Sequence, residues 1–233
     1  MNGQRQPAAT PWWKRAIDIT LCLLALILLG PLMLVAAVAI LVSSPGPLFY
    51  VAPRMGRGGR PFGQLKFRSM HWGADAKGAF TEKNDARIFW AGRVIRLFKI
   101  DELPQIFNIL RGEMSVVGPR PEDTKTVENY YTDEQRRVLD VLPGLTGLPQ
   151  VRFFPELSII DPDGMDPQEH YCRIILPLRL EMDLEYIRRQ SFWFDLRLIV
   201  WTVSLILVKA PLLALGFRPE PVKLESFHWP IRG

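Results

Sequence analysis

The sequence predicts a helix-rich α/β fold: a membrane-inserted, re-entrant helix hairpin, a compact domain containing a small β-hairpin, and amphipathic helices lying at the membrane interface. Three observations carry that expectation. An uncharged apolar run extends from Ile19 to Val42, long enough to cross a hydrocarbon layer of ~30 Å as a helix. A basic, glycine-punctuated stretch follows, PLFYVAPRMGRGGRPFGQLKFRSM, with the alternation of two strands around a tight turn. Near the end, LIVWTVSLILVKAPLLALG is apolar but punctuated by Lys209 and Pro211, so it reads as one or two helices lying in the interface, with a second span as the alternative. These segments divide the chain at 1–44, 45–190 and 191–233.

The first segment is PWWKRAIDITLCLLALILLGPLMLVAAVAILVSSPGP. It exceeds the apolar core of a signal peptide, and no small-residue cleavage site follows it. Gly30-Pro31 falls at mid-run, where proline removes a helical hydrogen bond and clashes with the preceding turn. Lys14 and Arg15 precede the run; Arg54, Arg57 and Arg60 follow it. Positive charge favours the cytoplasmic side, so basic flanks at both ends suit a helix that enters, bends and returns. A straight spanning helix is the alternative. Trp12 and Trp13 mark the interface. Asp18 lies within helical reach of Lys14 and Arg15, either of which would offset its cost.

Composition narrows the chemistry. The 233 residues suit one domain with attachments, and 48% hydrophobic content supports a sizeable core. Net charge is +5, from 29 Lys and Arg against 24 Asp and Glu, which favours an anionic partner. Cys22 and Cys172 form no disulfide framework or CxxC pattern. The three histidines, His71, His170 and His228, are too dispersed for a histidine metal site or a Ser-His-Asp triad.

In the middle segment the hairpin turn falls at Gly58-Gly59. GRGGR lacks the GK[ST] ending of a phosphate-binding P-loop. Lys66 and Arg68, two apart, share one face of the second strand. Residues 71–91 read as a loop with a short helix at most. GRVIRLFKI is helical from Gly92, and Ile100 or Asp101 interrupts it. A new helix follows: Leu103, Ile106, Phe107 and Leu110 recur at helical spacing, Pro104 fits the first turn, and Gly112 closes it. LRLEMDLEYIRRQSFWFDLRL is helical and two-sided.

The stretch IDELPQIFNILRGEMSVVGPRPE sets two carboxylates, Asp101 and Glu102, at a helix start among Arg96, Arg111 and Arg120. Two readings stand. Asp101 caps the helix, held by backbone N–H groups. Alternatively, it is an ionised nucleophile facing a phosphate, with Arg96 and Arg120 favouring its anion. Glu102 projects about 100° away around a helix; a hard cation such as Mg²⁺ binds carboxylate and phosphate oxygens together. In VGPRP, prolines stiffen the backbone on both sides of Arg120, either as a rigid linker or as preorganisation of a phosphate-binding charge.

Taken together, KRAIDI, SPGPLFY, RMGRGGRPFGQLKFRSM, RVIRLFKIDELPQIFNILRGEMSVVGPRPE, PGLTGLPQV and LEMDLEYIRRQSFWFDLRL resemble the bacterial sugar transferase family, the monotopic phosphoglycosyl transferases, over roughly residues 12 to 200. The resemblance implies an enzyme at the cytoplasmic face of the bacterial inner membrane. It would move a sugar-1-phosphate from a UDP-sugar to polyprenol (undecaprenyl) phosphate with release of UMP. By motif, Asp101 is the nucleophile that forms a covalent phosphosugar intermediate, and Glu102 is its partner in handling Mg²⁺ and phosphate. Lys66, Arg68, Arg96 and Arg120 match basic positions facing substrate phosphates. The implied partners are the UDP-sugar, the polyprenol phosphate and the lipid bilayer, without nucleic acid; a homo-oligomer stays open. Gly30-Pro31 stands where relatives often carry Ser-Pro, and RFFPELSIIDPDG replaces an Asn-Gly-Arg type stretch. With no large N-terminal multi-span region, the chain reads as a minimal member. Two other readings predict different behaviour. An anionic-lipid scaffold would not need Asp101. A membrane-anchored nucleic-acid binder would carry a continuous basic stripe, whereas acids and bases here are interleaved.

Overall fold

Once past Pro11 the chain meets no strong helix breaker until Gly30, and a single helix, α1 (Trp12–Ser43), forms. The computed structural model describes residues 8–73, 85–152 and 166–214. The expected break at Gly30-Pro31 is not an interruption of α1: the helix runs through Pro31. Proline forfeits one hydrogen bond, but each flanking half is long enough to propagate helix by itself.

Both ends of α1 are tied to one body. Before it, the Ala8 N–H donates to Asp140 O at 3.0 Å, and Arg57 donates to the Thr10 hydroxyl at 2.8 Å. After it, Arg68 donates to Ser44 O and to Pro45 O, the latter at 2.8 Å. Cys22 packs with Ile106, Ile109 and Met114, while Met33, Ala36 and Ile40 pack with Phe67, Phe89, Ala91 and Ile95. Much of the apolar middle of α1, including Leu23, Leu24, Ile27, Leu28, Leu34 and Val35, is exposed. Among the described residues α1 is the one helix long and apolar enough to cross a membrane.

Asp18 does not take the partner expected of it. Lys14 turns instead to Asp195 at 2.5 Å, Val117 O and the Tyr186 hydroxyl, and Arg15 donates to Ile109 O and Leu110 O. Asp18 accepts from Ser115 Oγ at 2.9 Å and the Val116 N–H at 2.8 Å. Helical spacing brings these side chains close, but carbonyls and carboxylates across the interface compete more effectively for the charges.

Strands β1 (Phe49–Met55) and β2 (Pro61–Phe67) form the expected antiparallel hairpin, in register from Phe49↔Phe67 to Met55↔Pro61. Its 3-10 turn holds Gly58 at φ 69° and Gly59 at φ 70°, left-handed values that glycine takes without cost. Helix α2 (Trp90–Leu97) buries Ala91, Gly92 and Ile95. After a 3-10 turn at Ile100–Glu102, α3 (Gln105–Arg111) ends on Gly112 at φ 79°. Strand β3 (Ser115–Val117) pairs in parallel with β4 (Gly144–Thr146); between them lie α4 (Thr124–Tyr130), capped by Asp123, and a 3-10 segment at Gln135–Asp140. Then come α5 (Leu148–Arg152), α6 (Pro167–His170), a π turn at Tyr171–Ile175, α7 (Leu176–Arg189) and α8 (Phe192–Ala214). LRLEMDLEYIRRQSFWFDLRL is therefore two helices meeting at Gln190-Ser191, and the tail is one helix through Pro211. The divergent loop after α5 lies mostly at 153–165, outside the described residues, as does most of the 71–91 loop.

Helix α7 carries ionisable groups into the core beside Leu176 and Leu180. Asp183 is 2% exposed. Burial, reinforced by Glu122 and opposed by Arg179 and Arg120, pushes its carboxyl up to about 8. Unfolded, the same group titrates near ~3.9. Between these values the folded chain keeps a proton that the unfolded chain releases, so this residue's contribution to stability falls as pH rises from about 4 to about 8. Asp183→Asn, always neutral, should match the native melting temperature at about pH 3, where the aspartate is protonated in both states, and exceed it at pH 9, by about 2–4 °C for each kcal/mol gained. Thermal unfolding in detergent across that pH range checks it.

Candidate active site

Alternation along β2 puts Gln64 and Lys66 on one face. Helix α3 packs over this strand through two buried polar side chains at i, i+3. Gln105 accepts from Gln64 at 2.9 Å. Asn108 accepts from the Leu65 N–H at 2.9 Å and donates to Gly63 O at 2.8 Å and to Glu113 at 2.7 Å. Asn108, 0% exposed, thus fixes the start of α3 relative to Lys66. On the other side, α2 ends where Lys99 turns left-handed, φ 57°. That turn re-aims the chain, and Asp101 and Glu102 come to face β2.

Arg54, Gln64, Lys66, Glu102, Gln105, Arg120, Pro121, Gly144 and Leu145 line one open pocket. Arg120 stands exposed between buried Pro119 and Pro121. Asp101 lies beside this pocket, and its Oδ1 is shut away from solvent with no hydrogen-bond partner among the described residues. Asp101 does not cap α3: it sits inside the 3-10 turn, and Pro104 occupies the N-cap. The cap reading fails because the Leu103-Pro104 turn separates Asp101 from the first free N–H groups of the helix.

The two carboxylates are driven apart electrostatically. Burial, then the neighbouring Glu102, raises the Asp101 carboxyl above its ordinary range, against Lys66, Lys99 and Arg96. This reverses the expectation that basic neighbours would dominate. Burial also acts to raise Glu102, but Lys99, Lys66 and Arg120 outweigh it and hold that group low. Lys99 donates to Glu102 at 3.5 Å. Burial lowers the Lys66 ammonium, with Glu102 opposing and Arg120 assisting.

Lys66, Arg120 and Glu102 therefore come together, with Asp101 and Arg96 at the margin. Arg68 does not join them. It is 4% exposed and its guanidinium clamps Ser44 and Pro45 at the end of α1. It lies just past β2, where the chain has left the strand face that presents Lys66. No group of three or more His, Cys, Asp or Glu placed to hold a metal occurs among the described residues. The hard oxygen donors at the site are Asp101 and Glu102.

A sequence model of the bacterial sugar transferase family matches residues 9–209. The chain belongs to that family. Over 198 residues it is 39% identical to the UDP-glucose:undecaprenyl-phosphate glucose-1-phosphate transferase of Caulobacter vibrioides, covering 83% of this chain and 69% of that one. It is 37% identical over 199 residues to the UDP-N-acetylgalactosamine-undecaprenyl-phosphate N-acetylgalactosaminephosphotransferase of Aeromonas hydrophila, covering 83% and 43%. To the UDP-glucose:undecaprenyl-phosphate glucose-1-phosphate transferase of Xanthomonas campestris it is 40% identical over 198 residues, covering 83% and 38%. The chain thus spans less than half the length of the last two relatives.

In this bacterial sugar transferase, Arg54, Gln64, Gln105 and Asn108 belong to the site although residue-by-residue reading did not select them. A usable signal was present for two: Gln105 and Asn108 share the face of Ile106 and Ile109, and polar residues on a buried face must find partners. Asn108→Ala should destabilise the protein by about 2–6 kcal/mol, because the Leu65 N–H and Gly63 C=O both lose their partner at ~1–3 kcal/mol each. Chemical denaturation in detergent measures this; a change below about 0.5 kcal/mol would show that water replaces the amide.

Proposed function

We propose that this protein transfers a sugar-1-phosphate from a UDP-sugar to undecaprenyl phosphate at the cytoplasmic face of the inner membrane. The observation that carries the reading is Asp101: a carboxylate oxygen shielded from water and unpartnered among the described residues, beside a pocket whose charged rim is Arg54, Lys66, Arg120 and Glu102. Its support from kinship is that relatives covering 83% of this chain bear the names of such transferases.

In the first step an Asp101 oxygen attacks the sugar-linked phosphorus. An oxygen–phosphorus bond forms, the pyrophosphate bond breaks, and UMP leaves with the bridging oxygen. In the second, an oxygen of the lipid phosphate attacks the same phosphorus and releases the Asp101 carboxylate. Lys66 and Arg120 neutralise charge on the transferring phosphate, and Arg96 biases Asp101 toward its anion. Raised basicity makes the ionised Asp101 a stronger nucleophile. Glu102, kept anionic, would hold Mg²⁺ jointly with substrate phosphates, since this cation needs only one or two protein carboxylates. Bound there, the cation would neutralise leaving-group charge.

Asp101→Asn should lower kcat by at least about 10³-fold, a loss of ~4 kcal/mol, with Tm and membrane association unchanged. The assay is UMP release from a panel of UDP-sugars with undecaprenyl phosphate, with and without chelator. Activity within about tenfold of the native protein, or UDP as the nucleotide released, would overturn the mechanism.

The membrane arrangement we propose is re-entrant, with α1 dipping into one leaflet and α8 lying at the interface. Its motive is that residues before and after α1 touch the same body, while the middle of the helix is apolar and exposed. Single cysteines at Ala9 and Arg60, in a background lacking Cys22 and Cys172, should both resist an impermeant thiol reagent until cells are opened. Labelling of Ala9→Cys from outside would show a crossing.

A further inference from the structure

Arg120 is exposed, yet the backbone on both sides of it is fastened. The Gly118 N–H donates to Thr146 O at 2.8 Å, the Gly144 N–H to Pro119 O at 2.7 Å, and the Met55 N–H to Glu122 O at 2.9 Å. Beneath this loop lies an ion pair that the transfer chemistry does not use. Glu122 meets Arg179 of α7 at 2.8 Å, with side chains 9% and 7% exposed. Tyr171 donates to the same Glu122 oxygen at 2.7 Å, and Arg179 also donates to the Tyr171 hydroxyl. One turn along α7, Asp183 faces the main-chain N–H of Arg120.

A buried ion pair with these added hydrogen bonds is a poor way to gain stability, because desolvation offsets most of its attraction. It is an effective way to fix direction, because each partner has one low-energy geometry. Glu122 is two residues from Arg120, and Pro121 between them is rigid in φ. Fixing the Glu122 carboxylate therefore fixes the path of the backbone from which the Arg120 side chain leaves.

We propose that Glu122, Arg179 and Tyr171 are positioning residues that aim Arg120 into the pocket, so that α7 sets how strongly the site holds a diphosphate. The inference deepens the proposed transfer reaction and rests on it for the identity of that diphosphate.

Double-mutant cycles with Arg120→Ala test it. Two readouts are used: calorimetric binding of UDP and of inorganic pyrophosphate, and kcat/KM for UMP release. Tyr171→Phe and Glu122→Gln should each weaken binding of both anions and lower kcat/KM by about tenfold when Arg120 is present. In the Arg120→Ala background they should do so by less than about twofold, a coupling within the range seen for neighbouring groups. Arg179→Lys, keeping charge without the planar fork, should fall between. Equal losses in both backgrounds, or a lowered Tm with unchanged anion binding, would overturn the proposal. Should Glu122→Gln fail to fold, the isosteric Tyr171→Phe decides. Coupling seen with pyrophosphate but no UMP release would retain the aiming role and reject the transferase reading. UMP release without coupling would do the reverse.

Discussion

The first two turns of α1 carry the constraint on which the rest of the structure depends. Lys14 and Asp18 are 3% and 1% exposed, although both belong to a helix otherwise read by its apolarity. Lys14 joins Asp195 of α8 to Val117 O, and Asp18 holds Ser115 and the Val116 N–H. Between them they grip all three residues of β3. Removing either partner of such a buried pair leaves an uncompensated charge, at a cost of about 3–5 kcal/mol. So α1 is no detachable anchor. Its polar start is part of the core that locates the loop carrying Arg120.

From β3 the order propagates by close backbone approach. A Cβ on Gly144 would lie 2.1 Å from Gly118 N, and one on Gly118 would lie 2.5 Å from Leu142 O. Only glycines allow the VGPRP loop to lie against the PGLTG segment at this distance. From the opposite side, Asn108 fixes α3 on β2. The pocket is the gap between these two assemblies, with cations entering from both and the two acids from the 3-10 turn.

Much of this was legible. The hairpin followed from alternation and paired glycines, and α3 from apolar spacing closed by Gly112. Nearness of Lys66, Glu102 and Arg120 came from motif resemblance. What local pattern missed was set by distant partners. Strands β3 and β4 have three residues each, too few to show a period of two. Arg68 shares the spacing of Lys66 yet is drawn to the carbonyls that end α1. Lys14 and Asp18 suit each other by spacing, but β3 and α8 offer better-placed partners. Gly30-Pro31 interrupts the pattern of the apolar run without ending the helix, because one lost hydrogen bond is small beside two long helical halves.

Lys99 has a consequence for how this site can change. It is the only non-glycine residue with positive φ among the described residues, and for an L-residue with a side chain that conformation costs about 1–2 kcal/mol. Glycine or asparagine would sit there with less strain. Yet Lys99 supplies the leading charge that keeps Glu102 ionised against its burial. Selection for heat resistance and selection for the chemistry thus pull this one position in opposite directions. A lineage driven only toward robustness would relax the backbone at Lys99 first, and in doing so would give up the largest of the charges that hold Glu102 ionised.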